Sequence, residues 1–230
     1  LLILPLTANA PTPAWKVAAA YSRRKLWWQT FFALLNVALF IIYAFWLFDS
    51  LVPHISFWRQ HYLLLTNLII WGAPLVILCL LPLGIMRLLS VPWNELGFGR
   101  GYRSWLISGI YCLILLCILF LMGPPTLSGF FVHLIQLFLQ AGFPEEVFFR
   151  GILLTRLIRL FGTKWGIVLS TLIFGIMHMA LNLSKGGSIL LALCEAILSQ
   201  ATAGIILAII FVRTRNLLAG VVFHTLLDAI

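Results

Sequence analysis

Acidic side chains are nearly missing from this chain: six Asp and Glu stand among 230 residues, and all charged residues together make up 9%. A soluble domain carries about a quarter of its residues charged, so an ordinary water-soluble fold is excluded. Disorder falls by the same shortage, because 63% of the chain is hydrophobic and its 18 Phe and 9 Trp cannot stay solvated. Cysteine is sparse as well. Cys79, Cys112, Cys117 and Cys194 fall in apolar runs without a CxxC pair. That excludes a disulfide framework or a cysteine zinc site and reads as small buried hydrophobes. No internal repeat or low-complexity tract is visible, which argues against an inverted-repeat transporter. The opening LLILPL is too short for a signal peptide and lacks its basic leader.

What the chain has in excess is apolar run length. Membrane barrels need short alternating strands, whereas these runs are unbroken and approach the roughly 20 residues of a helical span. The expected fold is all-α, a polytopic membrane helix bundle of about seven transmembrane helices. The runs lie at 27–48, 62–86, 105–122, 127–143, 165–181, 189–212 and 217–230. Residues 1–26 then form a cytoplasmic or interfacial N-terminal segment, and 27–230 a single membrane domain. The aromatic and charged stretch 88–102 is expected along the interface.

Charge placement gives an orientation. Lys16, Arg23, Arg24, Lys25, Arg87, Arg100, Arg103, Arg156, Arg159, Lys164, Arg213 and Arg215 fall in loops on one side, and only Arg59 and Lys185 on the other. The positive-inside rule puts the basic side and the N-terminus in the cytoplasm. The net charge of +9 is thereby topological, and no nucleic-acid partner is expected. The partner implied is the lipid bilayer.

An ionisable group inside a membrane is costly and is a functional candidate by default. Glu145 and Glu146 open the segment Phe143-Pro-Glu-Glu-Val-Phe-Phe-Arg150, where Pro144 suits a first helical position and two acids suit the positive helix end. A helix unbroken from Leu127 to Phe161 would run about 52 Å, too long for one span, so a break is expected at Gly142–Pro144. Glu146 and Arg150 are four apart with the acid first, the favourable ion-pair order. Glu145 points about 100° away and lacks that partner. It reads either as a hydrated carboxylate able to act as a base or as part of a structural charge cluster. Phe174 and His178 share one face of a later run, and a lone histidine there often only bonds a carbonyl. His224 and Asp228, again four apart, can orient an imidazole, hold a metal or neutralise each other. Glu195 and Gln200 are the remaining polar candidates in the sixth run. Glu195 reads as a catalytic or gating group, or as the partner of Arg150 or a loop. Ala201, Gly204 and Ala208 beside them form a small-residue packing face. Asn182 ends the fifth run and reads as its cap or as a substrate contact.

EExxxR, FxxxH and HxxxN/D in this order on successive membrane segments resemble the CPBP family of intramembrane proteases, which includes type II CAAX prenyl endopeptidases and bacteriocin-processing and self-immunity proteins. The resemblance covers 142–230 and includes Phe148, Phe149 and the Arg150–Gly151 pair. It implies hydrolysis of a peptide bond in a polar intramembrane cavity. By motif position, Glu145 would activate water, His178 would help to hold it, and His224 with residue 228 would stabilise the oxyanion. Glu146, Arg150 and Phe174 would support them. Eukaryotic CAAX enzymes carry Asn where this chain has Asp228, and a carboxylate donates a hydrogen bond only when protonated. Asp228 is therefore expected to orient His224 or to help hold a metal. The family is often labelled metalloprotease, so the cofactor is either none or zinc, held among Glu145, His178, His224 and Asp228. Two functional readings follow. One is an endopeptidase acting on a membrane-tethered or lipidated protein or peptide, in a bacterial plasma membrane. The other is a non-catalytic scaffold or self-immunity protein that uses the same cavity to bind a partner.

Overall fold

In the computed structural model, residues 21–98 and 127–229 are described, together with Leu106, Gly109, Ile110, Leu113, Ile114, Cys117 and Ile118. Lipid leaves no partner for an open backbone, and among the described residues the chain is helical with no strand beyond an isolated Phe98–Asn216 bridge. We number the helices α1 (Arg23–His61), α2 (Leu63–Leu88), α3 (127–161), α4 (163–184), α5 (Ile189–Thr214) and α6 (Leu217–Leu227). Four helical runs are long and apolar enough to cross a membrane: Arg23–His61, Leu63–Leu88, Gly129–Ser184 and Ile189–Thr214. Among the described residues, seven separate spans are not counted. The run 105–122 lies outside the described residues except at the isolated positions above. The runs 127–143 and 165–181 fall in one helical stretch, and the last is an 11-residue helix.

The break in that long stretch is at Gly162 and not at Gly142–Pro144. Gly142 and Phe143 keep right-handed helical angles, whereas Gly162 has φ 81° and ψ 168°, a region open in practice to glycine alone. The chain folds back there. A Cβ on Gly166 would stand 2.7 Å from the backbone nitrogen of Ile158, and the rings of Phe149 and Phe174 meet at 4.9 Å. α3 and α4 are therefore an antiparallel hairpin.

Pro144 is absorbed by a wide turn instead of a break, as are three other prolines. Pro53, Pro74, Pro82 and Pro144 each stand two residues beyond a five-residue π-helical segment, ending at Leu51, Gly72, Leu80 and Gly142. The residue before each proline donates its N–H five residues back: Val52 to Leu47, Ala73 to Leu68, Leu81 to Val76 and Phe143 to Phe138. A proline ring clashes with the carbonyl four residues earlier and supplies no N–H, and widening the preceding turn relieves that clash.

Packing follows helical periodicity. α1 buries Leu26, Gln29, Thr30, Ala33, Asn36, Val37, Phe40 and Ala44, a stripe at three- and four-residue steps that lies along α4. The stretch Val147–Leu154 of α3 is buried on every side, and Phe148, Phe149, Ile152 and Leu153 form the middle of the core. Leu35, Ile42, Leu64, Ile135, Leu172 and Leu198 face outward, as lipid-facing positions should. Cys117 and Cys194 also face outward. Only Cys79 of these three is a buried hydrophobe. Gly175 sits against the Ala196 carbonyl and Gly204 against Thr171 and Phe174, drawing α5 onto α4.

A second buried polar cluster closes one end of the bundle. Arg156 and Arg159, expected as loop charges, hold the Glu95 carboxylate at 2.7 and 2.9 Å, and Arg156 also donates to Gln29 Oε1 at 2.8 Å. A glutamate inside the 93–96 turn gives both guanidinium groups a shared anion, which is why they can leave water. Tyr21 completes the cluster, and burial together with the Glu95 carboxylate pushes its phenol above the ordinary value. The turn is in turn pressed onto α3, since the Leu96 carbonyl lies where a side chain on Gly151 would be.

Candidate active site

The N-terminal start of α6 is tethered by Leu217 N–H to the Gly97 carbonyl. That turn sits at the level of Gly151, ten residues or about 15 Å back along α3 from its end at 161. α6 therefore begins deep in the bundle. This offset lets His224, two turns into α6, meet His178, four turns into α4, although the two lie at unequal depths in their own helices.

Glu146 is the centre of the hydrogen-bonded frame. Its Oε1 forms an ion pair with Arg150 Nη1 at 2.8 Å and accepts a hydrogen bond from His224 Nδ1 at 2.9 Å. A carboxylate only accepts, so the His224 proton is on Nδ1 and Nε2 faces away from Glu146. All three side chains are buried. Gly220 makes this approach possible, since a Cβ there would stand 2.7 Å from Glu146 Oε2. Phe174 explains its place in the FxxxH pattern: the Arg150 guanidinium lies 4.6 Å from its ring centre, and the His178 ring lies 4.4 Å away on the same helix face. His224 meets the same ring edge-on at 6.2 Å.

Glu145 stands apart from this frame. Its Oε2 has no hydrogen-bond partner among the described residues, and it lies 3.7 Å from His178 Nε2 and 3.9 Å from His224 Nε2. His178 Nδ1 donates to the Phe174 carbonyl at 3.0 Å, so a neutral His178 presents its Nε2 lone pair to Glu145. The carbonyl bond expected of a lone core histidine is thus present, and the other ring nitrogen still faces an acid. Polar gaps of this width, too long for direct bonds, suit a bridging water. Asp228 Oδ2 lies 3.6 Å from His224 Nε2 and is the most exposed acid of the group. The structure thus brings together Glu145, Glu146, Arg150, Phe174, His178, His224 and Asp228 from three helices.

Residues 127–230 match the family model Rce1-like, described as type II CAAX prenyl endopeptidase Rce1-like. Over this segment the chain is similar to the type II CAAX prenyl endopeptidases of the CPBP family. Neither a curated protein nor a solved structure matches the chain. The Rce1-like segment spans α3 to α6 and holds every motif residue named above. The family is one of proteases, and with four apolar membrane-length helices the chain is an integral membrane protein.

The cavity beside Glu145 extends outside the family match. It has a volume of about 340 Å³ and is lined by Glu145, His178, Asn182, Lys185, Gln140 and Gln200, with Tyr43, Phe48 and Ile70 from α1 and α2 on the far wall. Tyr43 and Gln140 were not singled out in the sequence, because neither belongs to a spaced pair of ionisable groups. Both donate to carbonyls of α2, at Ile69 and Ile70. Glu195 does not meet Arg150: it accepts a hydrogen bond from Asn182 on the outer side of α4 and α5. Gln200 stands five residues further along α5 and lines the cavity, so the acid and the amide lie in different surroundings.

Zinc ligands at about 2.0–2.1 Å in a tetrahedron stand about 3.3 Å from one another. Here the donor pairs are 3.6 to 3.9 Å apart, and among the described residues no three His, Cys, Asp or Glu side chains are placed to hold a metal ion. The donor set as it stands does not fit zinc, and no step below is routed through a metal.

Proposed function

We propose that this protein is an intramembrane endopeptidase that hydrolyses a peptide bond of a membrane-tethered, prenylated or otherwise lipidated substrate by a glutamate-activated water. The observation that carries the reading is the placement of an unpartnered, buried Glu145 oxygen 3.7 and 3.9 Å from two imidazole nitrogens. A water held by Glu145 and His178 would lose its proton to Glu145 as its oxygen bonds the carbonyl carbon. His224, protonated at both nitrogens, would donate Nδ1–H to Glu146 and Nε2–H to the oxyanion that forms. Collapse would break the C–N bond, with the proton on Glu145 passing to the leaving amine. Asp228 would steady the His224 ring from the side open to the cavity.

Orientation follows from the charge pattern. The start of α1, the end of α2, the α3–α4 turn and the α5–α6 turn carry the basic residues Arg23 to Lys25, Arg87, Arg159, Lys164, Arg213 and Arg215. That end would face the cytoplasm, with the N-terminus. The test is cleavage of a panel of fluorogenic farnesylated, acylated and unmodified peptides by the purified protein. Turnover that vanishes in Glu145→Gln and survives a chelator supports this mechanism. Turnover that chelator removes and zinc restores points to a metal enzyme, and turnover equal in Glu145→Gln overturns the assignment.

A further inference from the structure

A second chamber lies on the other side of the site, between α5 and α6. It has a volume of about 390 Å³ and is lined by Phe174, Ser199, Thr202, Phe223 and His224, with Leu198, Ile206 and Leu227 on the outer side. Among the described residues, only Gln200 and Asp228 line both this chamber and the one beside Glu145. Glu145 and His178 face the first chamber and His224 faces the second, and the gap between Glu145 Oε2 and His224 Nε2 is 3.9 Å. A carbonyl attacked from the Glu145 side and stabilised from the His224 side sits on that boundary. The two flanks of its peptide then leave in opposite directions, one into each chamber.

The boundary is built from one acid and one amide. An ionised Asp228 only accepts hydrogen bonds, whereas Gln200 offers two donors and one acceptor and can match a peptide group in both senses. The Gln200 side chain makes no hydrogen bond among the described residues. Its placement comes from the π-helical segment Ala196–Ala201 of α5, the kind of local widening that re-aims a side chain at functional sites. Gly175 and Gly204 hold that part of α5 close against α4, so the amide is presented on a fixed backbone.

We propose that Gln200 is a substrate-binding residue that hydrogen-bonds the peptide backbone beside the scissile bond, so that the substrate spans both chambers in one register. This rests on the protease reading above. The experiment uses the full chain in detergent and a fluorescent peptide ending in a farnesylated CAAX sequence. Gln200→Met keeps the side-chain length and removes its hydrogen bonds, and Gln200→Glu keeps an acceptor. Gln200→Met is expected to raise KM about tenfold with a much smaller change in kcat, and to weaken binding of the same peptide to the Glu145→Gln protein by a similar factor. Gln200→Glu is expected to recover part of the loss, with the thermal midpoint unchanged in both. A KM and an affinity equal to those of Gln200, while Glu145→Gln is inactive, overturn the Gln200 assignment and leave the protease reading intact. Cleavage by Glu145→Gln, or a wild-type chain that neither binds nor cleaves the peptide, removes the protease reading and this proposal with it.

Discussion

Glu146 and His224 stand 78 positions apart in the sequence and are joined by a 2.9 Å hydrogen bond through the same oxygen that pairs with Arg150. One buried carboxylate thereby neutralises a guanidinium and orients an imidazole ring. Glu146→Gln leaves Arg150 buried with no full counter-charge, and the expected loss of stability is about 3–5 kcal/mol. The double variant Glu146→Gln/Arg150→Met should recover much of that loss without recovering cleavage. Thermal unfolding in detergent and peptide turnover, measured on the same samples, separate the two effects.

Glu145, in the next position, should behave oppositely. It makes no bond that the fold needs, so Glu145→Gln is expected to keep the thermal midpoint while turnover drops by about 10² to 10⁴. A midpoint that falls as far as that of Glu146→Gln would show Glu145 to be structural.

Gly220 is where α6 comes close to the carboxylate frame. A methyl group there meets Glu146 Oε2 at 2.7 Å, so Gly220→Ala must push Glu146 or α6 aside. A displacement approaching 1 Å at a catalytic frame costs about a hundredfold in kcat/KM. Gly84, which has open space at its Cβ position, is the control, and Gly84→Ala should leave turnover unchanged.

Glu95 tests the second buried polar cluster. Glu95→Gln strips Arg156 and Arg159 of their shared anion and should cost about 3–5 kcal/mol. Its partners Tyr21, Arg156 and Arg159 are not among the site residues, so turnover per folded molecule is expected within about twofold of wild type. A large fall in kcat with an unchanged midpoint would contradict a structural role.

Much of the site was legible because chemistry in an apolar chain cannot hide. With six acids in all, the four within or beside apolar runs narrowed the search to a few residues, and the spacings Glu146–Arg150, Phe174–His178 and His224–Asp228 named helix faces without a structure. Three things were not legible. The fate of Pro144 depended on whether the preceding turn could widen, and local sequence does not distinguish a widened turn from a broken helix. The buried role of Glu95 left no local signal because its partners, Tyr21, Arg156 and Arg159, come from distant elements. The depth of α6 was set by the tether from Leu217 to Gly97, a backbone bond that leaves no side-chain signature.

The order of these helices along the chain matters during synthesis. The α3–α4 hairpin already contains Glu145, His178 and the Arg150–Glu146 pair, whereas the second imidazole arrives only with α6. A growing chain halted before residue 217 would carry the water-activating acid but not its oxyanion donor, and so would be inert towards other proteins being inserted nearby. On the proposed mechanism, a chain arrested at that point should show no turnover, and co-expression of the missing segment as a separate helix should restore it where the helix can dock.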